Sequence, residues 1–146
     1  MSKVGRAAYA ASRQRVETIS GTKVIATAET GELYIVSAAC AVTLPAVQNG
    51  AYFKFILSAD ITSTTALVVT AAGGAKMAGL VSAIQGTAVA KVVQADIGSE
   101  TLLTLGSAGN KVLAGSYVEL YCDGTSWYAT GMAAGNNGDI TTCAFS

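Results

Sequence analysis

Apolar and polar positions alternate at short range along this chain, and the alternation is clearest over residues 52–57. Phe53, Phe55 and Leu57 occupy every second position, and Lys54 lies among the residues between them. A period of two is typical of a β-strand that packs one face on a core and leaves the other face partly wet. We therefore predict a strand here, with both phenylalanines in the core.

Residues 117–122 show the same alternation and begin a predicted β-hairpin. Val118 and Leu120 lie on the predicted inner face, and an Asp-Gly dipeptide supplies the turn that follows. The returning strand opens with Trp127 and Tyr128, and one of these two aromatic side chains closes the same layer of the core. The sequence alone leaves open which of the two points inward.

Short runs of this kind recur from Thr22 onward, separated by Gly, Ser, Thr, Asn and Asp. None of them shows the periodicity of an amphipathic helix. The pattern predicts an all-β fold, an antiparallel β-sandwich or small barrel of about eight to ten short strands. The predicted strands span residues 23–28, 32–37, 41–44, 52–57, 66–71, 79–83, 88–94, 101–105, 117–122 and 127–131.

Two segments interrupt these strands for recognisable reasons. Pro45, the only proline, cannot donate a hydrogen bond within a sheet, so the preceding strand should end at an edge or turn. Residues 71–79 are rich in glycine around Lys76, but they lack the spacing and the following helix of a phosphate-binding loop. We predict a solvent-facing loop between two strands in this second segment.

Changes in composition divide the chain into an N-terminal arm (residues 1–22), a β-domain (23–135) and a C-terminal tail or strand (136–146). The alanines and valines of the arm could support a short helix on contact with a partner, although such a helix is marginal alone in water. An extended arm is an equal alternative. The C-terminal segment could add a strand to its own sheet or to that of a neighbour.

Charged residues make up 12% of the chain, hydrophobic residues make up 51%, and the formal net charge is +0. An average globular protein has about 25% charged residues. Low net charge and apolar surface patches both promote association, so this composition suits a solitary soluble monomer poorly. We therefore expect the protein to cover part of its surface against neighbours.

The charges are also unevenly distributed. Residues 1–23 contain five basic residues and one acidic residue, whereas the remainder contains four basic and eight acidic residues. A basic tail can bind nucleic acid, but apart from Tyr9 no aromatic or glycine-rich pattern accompanies these charges. We expect no nucleic-acid partner, and we favour an arm that docks on an acidic neighbour.

The chain contains no histidine, which removes Ser-His and Cys-His nucleophilic pairs and most zinc sites. The spacing of Cys40, Cys122 and Cys143 suits neither a metal site nor a disulfide framework, so we predict buried thiols. Nearby carboxylates lie at turns or strand ends, where they are ordinarily solvated. The sequence therefore predicts a protein that is not an enzyme and needs no metal or cofactor. The carboxylate pairs are Glu29 with Glu32, Asp96 with Glu100, and Glu119 with Asp123.

Carbohydrate binding is a further possibility, because exposed aromatic rings at Tyr121, Trp127 or Tyr128 could stack on sugars. Packing of these rings in the core or against a neighbouring subunit is favoured, since only ten aromatic residues serve the whole chain.

No membrane partner is expected. The most apolar region, residues 66–90, is interrupted by glycines, Lys76 and Gln85, so no run approaches the roughly 18 to 20 apolar residues that a spanning helix needs. The N-terminus lacks the apolar stretch of a secretory signal peptide, and we expect the protein to stay where it is made.

Several segments together resemble a module that is common among structural proteins of tailed bacteriophages. They are YIVSAA at residues 34–39, VTLPA at 42–46, the GxxFxFI pattern at 50–56, VEL at 118–120 and DGTSWY at 123–128. The similarity extends over residues 23–131. It is to head decoration (cement) proteins, notably those of marine phages and cyanophages, and to parts of tail appendages.

The resemblance implies a β-rich, non-catalytic protein that assembles on the outside of a capsid, usually as a homotrimer, and clamps adjacent subunits of the major capsid protein. It implies a virion location after synthesis in the cytoplasm of the bacterial host. A tail or appendage module that binds host-surface carbohydrate is the alternative. The arm residues expected to contact the capsid are Lys3, Arg6, Arg13 and Arg15. The residues expected in the core or in the oligomer are Phe53, Phe55, Val118, Leu120, Trp127 and Tyr128.

Overall fold

The computed structural model describes residues 15–27, 32–85, 91–95, 98–106, 111–135 and 143–146. The described residues form β-strands joined by turns, together with one turn of 3-10 helix at Ala72–Gly74, and they confirm the predicted all-β class. The strands in chain order are β1 (Val16–Val24), β2 (Glu32–Thr43), β3 (Tyr52–Leu57), β4 (Ile61–Thr62), β5 (Leu67–Thr70), β6 (Lys76–Gln85), β7 (Lys91–Ala95), β8 (Leu102–Leu105), β9 (Lys111–Val112), β10 (Tyr117–Cys122), β11 (Ser126–Gly135) and β12 (Ala144–Phe145).

The strands form a mixed sheet in the order β12-β8-β5-β2-β3-β10-β11-β6-β7, and β1 lies along β2. β2 is parallel to β1, β3 and β5, and β11 is parallel to β6. The pairings of β3 with β10, β10 with β11, β5 with β8 and β6 with β7 are antiparallel. The expected purely antiparallel arrangement is therefore wrong. Alternation along a strand indicates which residues point inward, but it does not specify the direction of the neighbouring strand.

β2 is the strand that both halves of the sheet share. Residues 32–36 pair with β3 and residues 40–43 pair with β5, while β1 accompanies both parts along the opposite edge. Residues 37–39 between the two pairings are exposed. The two separate strands predicted for this region are thus one long strand, which ends shortly before Pro45 as predicted.

β1 corrects the predicted boundary of the arm. It begins at Val16, inside the segment assigned to the arm over residues 1–22, and its Ile19 is buried in the core. For residues 16–22 the extended alternative holds and the helical one is wrong. One buried side chain gives too weak an alternation to be recognised, and the strand is held largely by backbone hydrogen bonds to β2.

The structure describes part of the C-terminal segment but not the first fourteen residues of the arm. Residues 1–14 and 136–142 lie outside the described residues. β12 belongs to the predicted C-terminal strand, and it pairs antiparallel with β8 of the same chain. This part of the C-terminal segment therefore extends its own sheet.

The inward faces of the strands meet in a hydrophobic core. Trp127 is fully buried there, with its ring centroid 5.7 Å from that of Phe53. Tyr128 is half-buried and, as the next residue along β11, points to the opposite face of the sheet. The question that the sequence left open is thus decided in favour of Trp127. The other residues predicted to face inward are each 0% exposed, namely Phe53, Phe55, Val118 and Leu120.

Gly79 lies inside β6, which begins at Lys76, so the predicted loop over residues 71–79 is shorter than expected and the strand predicted over 79–83 begins three residues earlier. Gly79 pairs with Ala129 of β11 at a φ of +153°. A Cβ atom added at Gly79 would lie 1.9 Å from the backbone oxygen of Ala129. The close approach of β6 to β11 therefore requires glycine at this position.

We expect Gly79→Ala to lower the free energy of unfolding by about 3 kcal/mol, because the added methyl group meets a backbone that strand pairing holds in place. Chemical denaturation followed by circular dichroism measures the loss. Gly73→Ala is a matched control, since Gly73 also has positive φ but an added Cβ meets open space. That control should cost about 1 kcal/mol. Equal losses in the two variants would contradict the close-packing explanation.

Candidate functional site

The side of the sheet that points away from the core forms a continuous surface across β1, β2, β3, β10, β11, β6 and β7. Residues that are paired across neighbouring strands point to the same face, so the strand register groups the outward side chains into rows. The middle row is Val16, Leu33, Lys54, Glu119, Thr130, Leu80 and Gln94. One flanking row is Thr18, Ile35, Ile56, Tyr117, Met132, Ser82 and Val92. The other flanking row is Tyr52, Tyr121, Tyr128 and Ala78. We call these rows, together with Ala134 and Ile84, the outer face.

The outer face collects most of the large apolar side chains that the described residues leave in solvent. Val24 is the other exposed residue of this kind, at 65%, and it pairs with Thr43 beyond the outer face. Large exposed apolar patches mark surfaces that bind other molecules. The exposed members of the outer face are Val16 at 58%, Val92 at 56%, Leu80 at 55%, Tyr121 at 46% and Ile84 at 42%.

The charged residues of the outer face, Lys54 and Glu119, neutralise each other. Lys54 Nζ lies 2.7 Å from Glu119 Oε1 and 5.0 Å from the centre of the Tyr117 ring. Their hydrogen bond raises the pKa of Lys54 and lowers the pKa of Glu119, so both groups stay charged near neutral pH. The outer face therefore carries an ion pair but no net charge.

Tyrosine side chains line one margin of the outer face. The ring centroids of Tyr52 and Tyr121 are 4.9 Å apart, and the Tyr121 hydroxyl donates to Glu119 Oε2 at 3.2 Å. The Tyr128 hydroxyl donates to Asp123 Oδ2 at 2.9 Å, and this bond raises the pKa of Tyr128. Asp123 also accepts the backbone N–H groups of the turn that follows it, which explains why the hairpin turns here. The phenol groups are thus held in place by carboxylates.

A separate polar pocket of about 200 Å³ is lined by Arg15 and Glu17 at the start of β1 and by residues 23–27 at and after its end. Its buried carboxylate, Glu32, accepts a hydrogen bond from the Tyr34 hydroxyl at 2.5 Å and lies 3.2 Å from Arg15 Nη1. Glu17 and Lys23 form a second ion pair in the same pocket. Burial, followed by the bond to Glu32, raises the pKa of Tyr34 well above its ordinary value. The pocket therefore fixes the start of β1 against β2.

The predicted site residues separate into different parts of the molecule. Of the arm residues, Arg15 pairs with Glu32 of its own chain, and Lys3, Arg6 and Arg13 lie outside the described residues. Trp127 is buried, so it offers no ring to a sugar, whereas Tyr128 lies on the outer face.

Glu119 and Asp123 are the one suspected carboxylate pair of which the structure describes both members, and each has its own partner. Glu119 pairs with Lys54, Asp123 holds its turn, and Glu32 lies in the polar pocket. Glu100 accepts a hydrogen bond from Ser99 at 2.7 Å. Glu29 and Asp96 lie outside the described residues.

The outer face was missed by sequence reasoning, although a signal for it existed. In β6 and β7 the residues between inward positions are also apolar, as at Leu80, Ile84 and Val92. A strand that is apolar on both sides is typical of burial on both sides. Such strands should have indicated a second buried surface, beyond the core.

Within the described parts of the chain, no group of three or more His, Cys, Asp and Glu residues could hold a metal ion. Cys40, Cys122 and Cys143 are buried thiols, as predicted. In the same parts of the chain, no helix has both the length and the apolar character that crossing a membrane requires. No protein-family model, curated protein or solved structure matches the chain.

We expect stability to fall above pH 10 because Tyr34 must stay neutral in its buried position. The raised pKa of Tyr34 means that its contribution is complete below the ordinary tyrosine value of 10.0 and is lost as pH rises beyond it. Tyr34→Phe keeps the ring that stacks on Phe55 and removes the ionisable hydroxyl. Urea unfolding of both proteins between about pH 8 and 11 should show the wild type losing stability faster than the variant. Parallel profiles would contradict this role of Tyr34.

Proposed function

We propose that this chain is a non-catalytic structural protein of a virion. In this proposal it binds the outer surface of a phage capsid and stabilises the shell by clamping adjacent subunits of the major capsid protein. The observation that supports an assembling protein is the outer face, which is broad, largely apolar and without net charge. Such a surface gains free energy when it is buried against another protein, at roughly 25 cal/mol for each Å² of apolar area removed from water.

The arm supplies the contact with the capsid in this proposal. Lys3, Arg6 and Arg13 precede β1, and Arg15 is fixed at its start by Glu32. Exposed ion pairs contribute at most about 1 kcal/mol each, so a single arm gives register, and affinity for the lattice requires several subunits to act together. A protein that binds the assembled lattice better than free subunits raises shell stability by mass action.

Capsids that lack the protein, mixed with the purified full chain, should bind it saturably and melt at a higher temperature. The variant Lys3→Gln/Arg6→Gln/Arg13→Gln should bind roughly tenfold more weakly, because it loses several charge contacts. Lys76→Gln/Lys111→Gln removes basic charge from the β-domain and serves as the control, with binding unchanged. Failure of the wild-type protein to bind capsids would refute the proposed function.

A host-surface carbohydrate-binding module of a tail or appendage is the second candidate, and the tyrosine margin favours it. Tyr52, Tyr121 and Tyr128 are neighbours across three strands, so their rings could stack along a short glycan.

A glycan array probed with the full chain tests this candidate. Tyr121→Ala should abolish any signal, whereas Val92→Ala, on β7 in the opposite flanking row, should keep it. An array without signal would refute carbohydrate binding.

A further inference from the structure

We infer that two copies of this chain pair through their outer faces, about a twofold axis that runs between β3 and β10 and parallel to these strands. This inference rests on the proposed function in one respect, namely that the outer face is buried against protein. A second copy is the occupant that the pattern of charges and apolar side chains fits.

The ion pair selects the position of the axis. Lys54 and Glu119 are direct cross-strand partners on β3 and β10. A twofold axis between the two strands lays Lys54 opposite the partner's Glu119, and Glu119 opposite the partner's Lys54. Each charge then has opposite charges as its neighbours both within and between subunits. An axis along β3 itself would lay Lys54 on the partner's Lys54, which charge repulsion disfavours.

The same axis brings chemically similar positions together on both sides of the ion pair. In the strand order β1-β2-β3-β10-β11-β6, it exchanges β2 with β11 and β1 with β6. At three of these positions apolar residues meet apolar residues or small hydroxyl side chains meet each other, whereas Leu33 of the middle row meets the partner's Thr130. The matched positions are Ile35 with the partner's Met132, Val16 with the partner's Leu80, and Thr18 with the partner's Ser82.

The area of the exchanged surface is close to what a specific interface needs. Two rows across six strands and one row across four, at about 4.8 Å between strands and about 6.8 Å between rows, give roughly 500 Å² of projected area per copy. A standard interface buries about 800 Å² of accessible surface per partner, and a corrugated face exposes more than its projected area. Aligned packing of two sheets is also a common arrangement in β proteins.

Sedimentation equilibrium of the full chain tests the pairing without any capsid. The expected species has twice the chain mass of 14.7 kDa. Val16→Asp should weaken association by roughly tenfold or more, because it places a charge opposite the partner's Leu80. Ser20→Asp is a control on the same strand, at an exposed position that lies outside the rows of the outer face. It should leave association unchanged, and circular dichroism should show that both variants are folded.

Charge reversal tests the axis itself. Lys54→Glu makes both central positions acidic, and Glu119→Lys makes both basic, so each variant alone should be monomeric. An equal mixture of the two should form heterodimers, because every contact across the axis then joins opposite charges. Repulsion within one chain cannot be relieved by mixing, so recovery in the mixture is specific to the proposed arrangement.

The possible results separate the inference from the proposed function. A wild-type monomer or trimer, a dimer insensitive to Val16→Asp, or failure of the mixed variants to associate would overturn the pairing. Capsid binding by such a protein would leave the proposed function standing. A dimer with the expected variant behaviour that does not bind capsids would overturn the proposed function and leave the pairing intact.

Discussion

The fold depends on the backbone hydrogen bonds along β2. Its first part pairs with β3 and its second part with β5, and β1 is bonded along the opposite edge. In the strand order, β2 connects β5, β8 and β12 with β3, β10, β11, β6 and β7. The register of β2 against its neighbours therefore sets which side chains of both groups of strands face the core. A slip of one residue in β2 would turn Tyr34 and Val36 toward solvent and bring Leu33 and Ile35 inward.

The sequence predicted the features that depend on local alternation of apolar and polar residues. It missed the features that depend on pairing between strands distant in the sequence. The inward positions of β3 and β10 follow from a period of two, which neighbouring side chains alone express. The parallel direction of β2 relative to β3 and β5 arises from connections that no local pattern encodes. β1 carries one buried residue, Ile19, so its strand character comes from its neighbour.

The choice between Trp127 and Tyr128 shows a second limit of local patterns. Both are large aromatic residues beside a turn, and hydrophobicity alone does not rank them. The register of β11 against β10 decides, because Trp127 pairs with the inward Cys122 and Tyr128 with the outward Tyr121. Tyr128 also gains an acceptor in Asp123 on the outer side, whereas the Trp127 Nε1–H has no partner among the described residues. Packing, and not hydrogen bonding, therefore holds the indole in the core.

The direction of β1 has a consequence for how a pair of subunits would engage a larger surface. A twofold axis parallel to the strands leaves strand direction unchanged, so β1 of both copies would begin at the same end of the pair. Both Arg15 residues would then lie at that end of the pair, each preceded in the sequence by the basic residues Lys3, Arg6 and Arg13. Two weak contacts joined in this way bind a repeating lattice with an avidity that neither has alone, and they favour a regular array over isolated subunits.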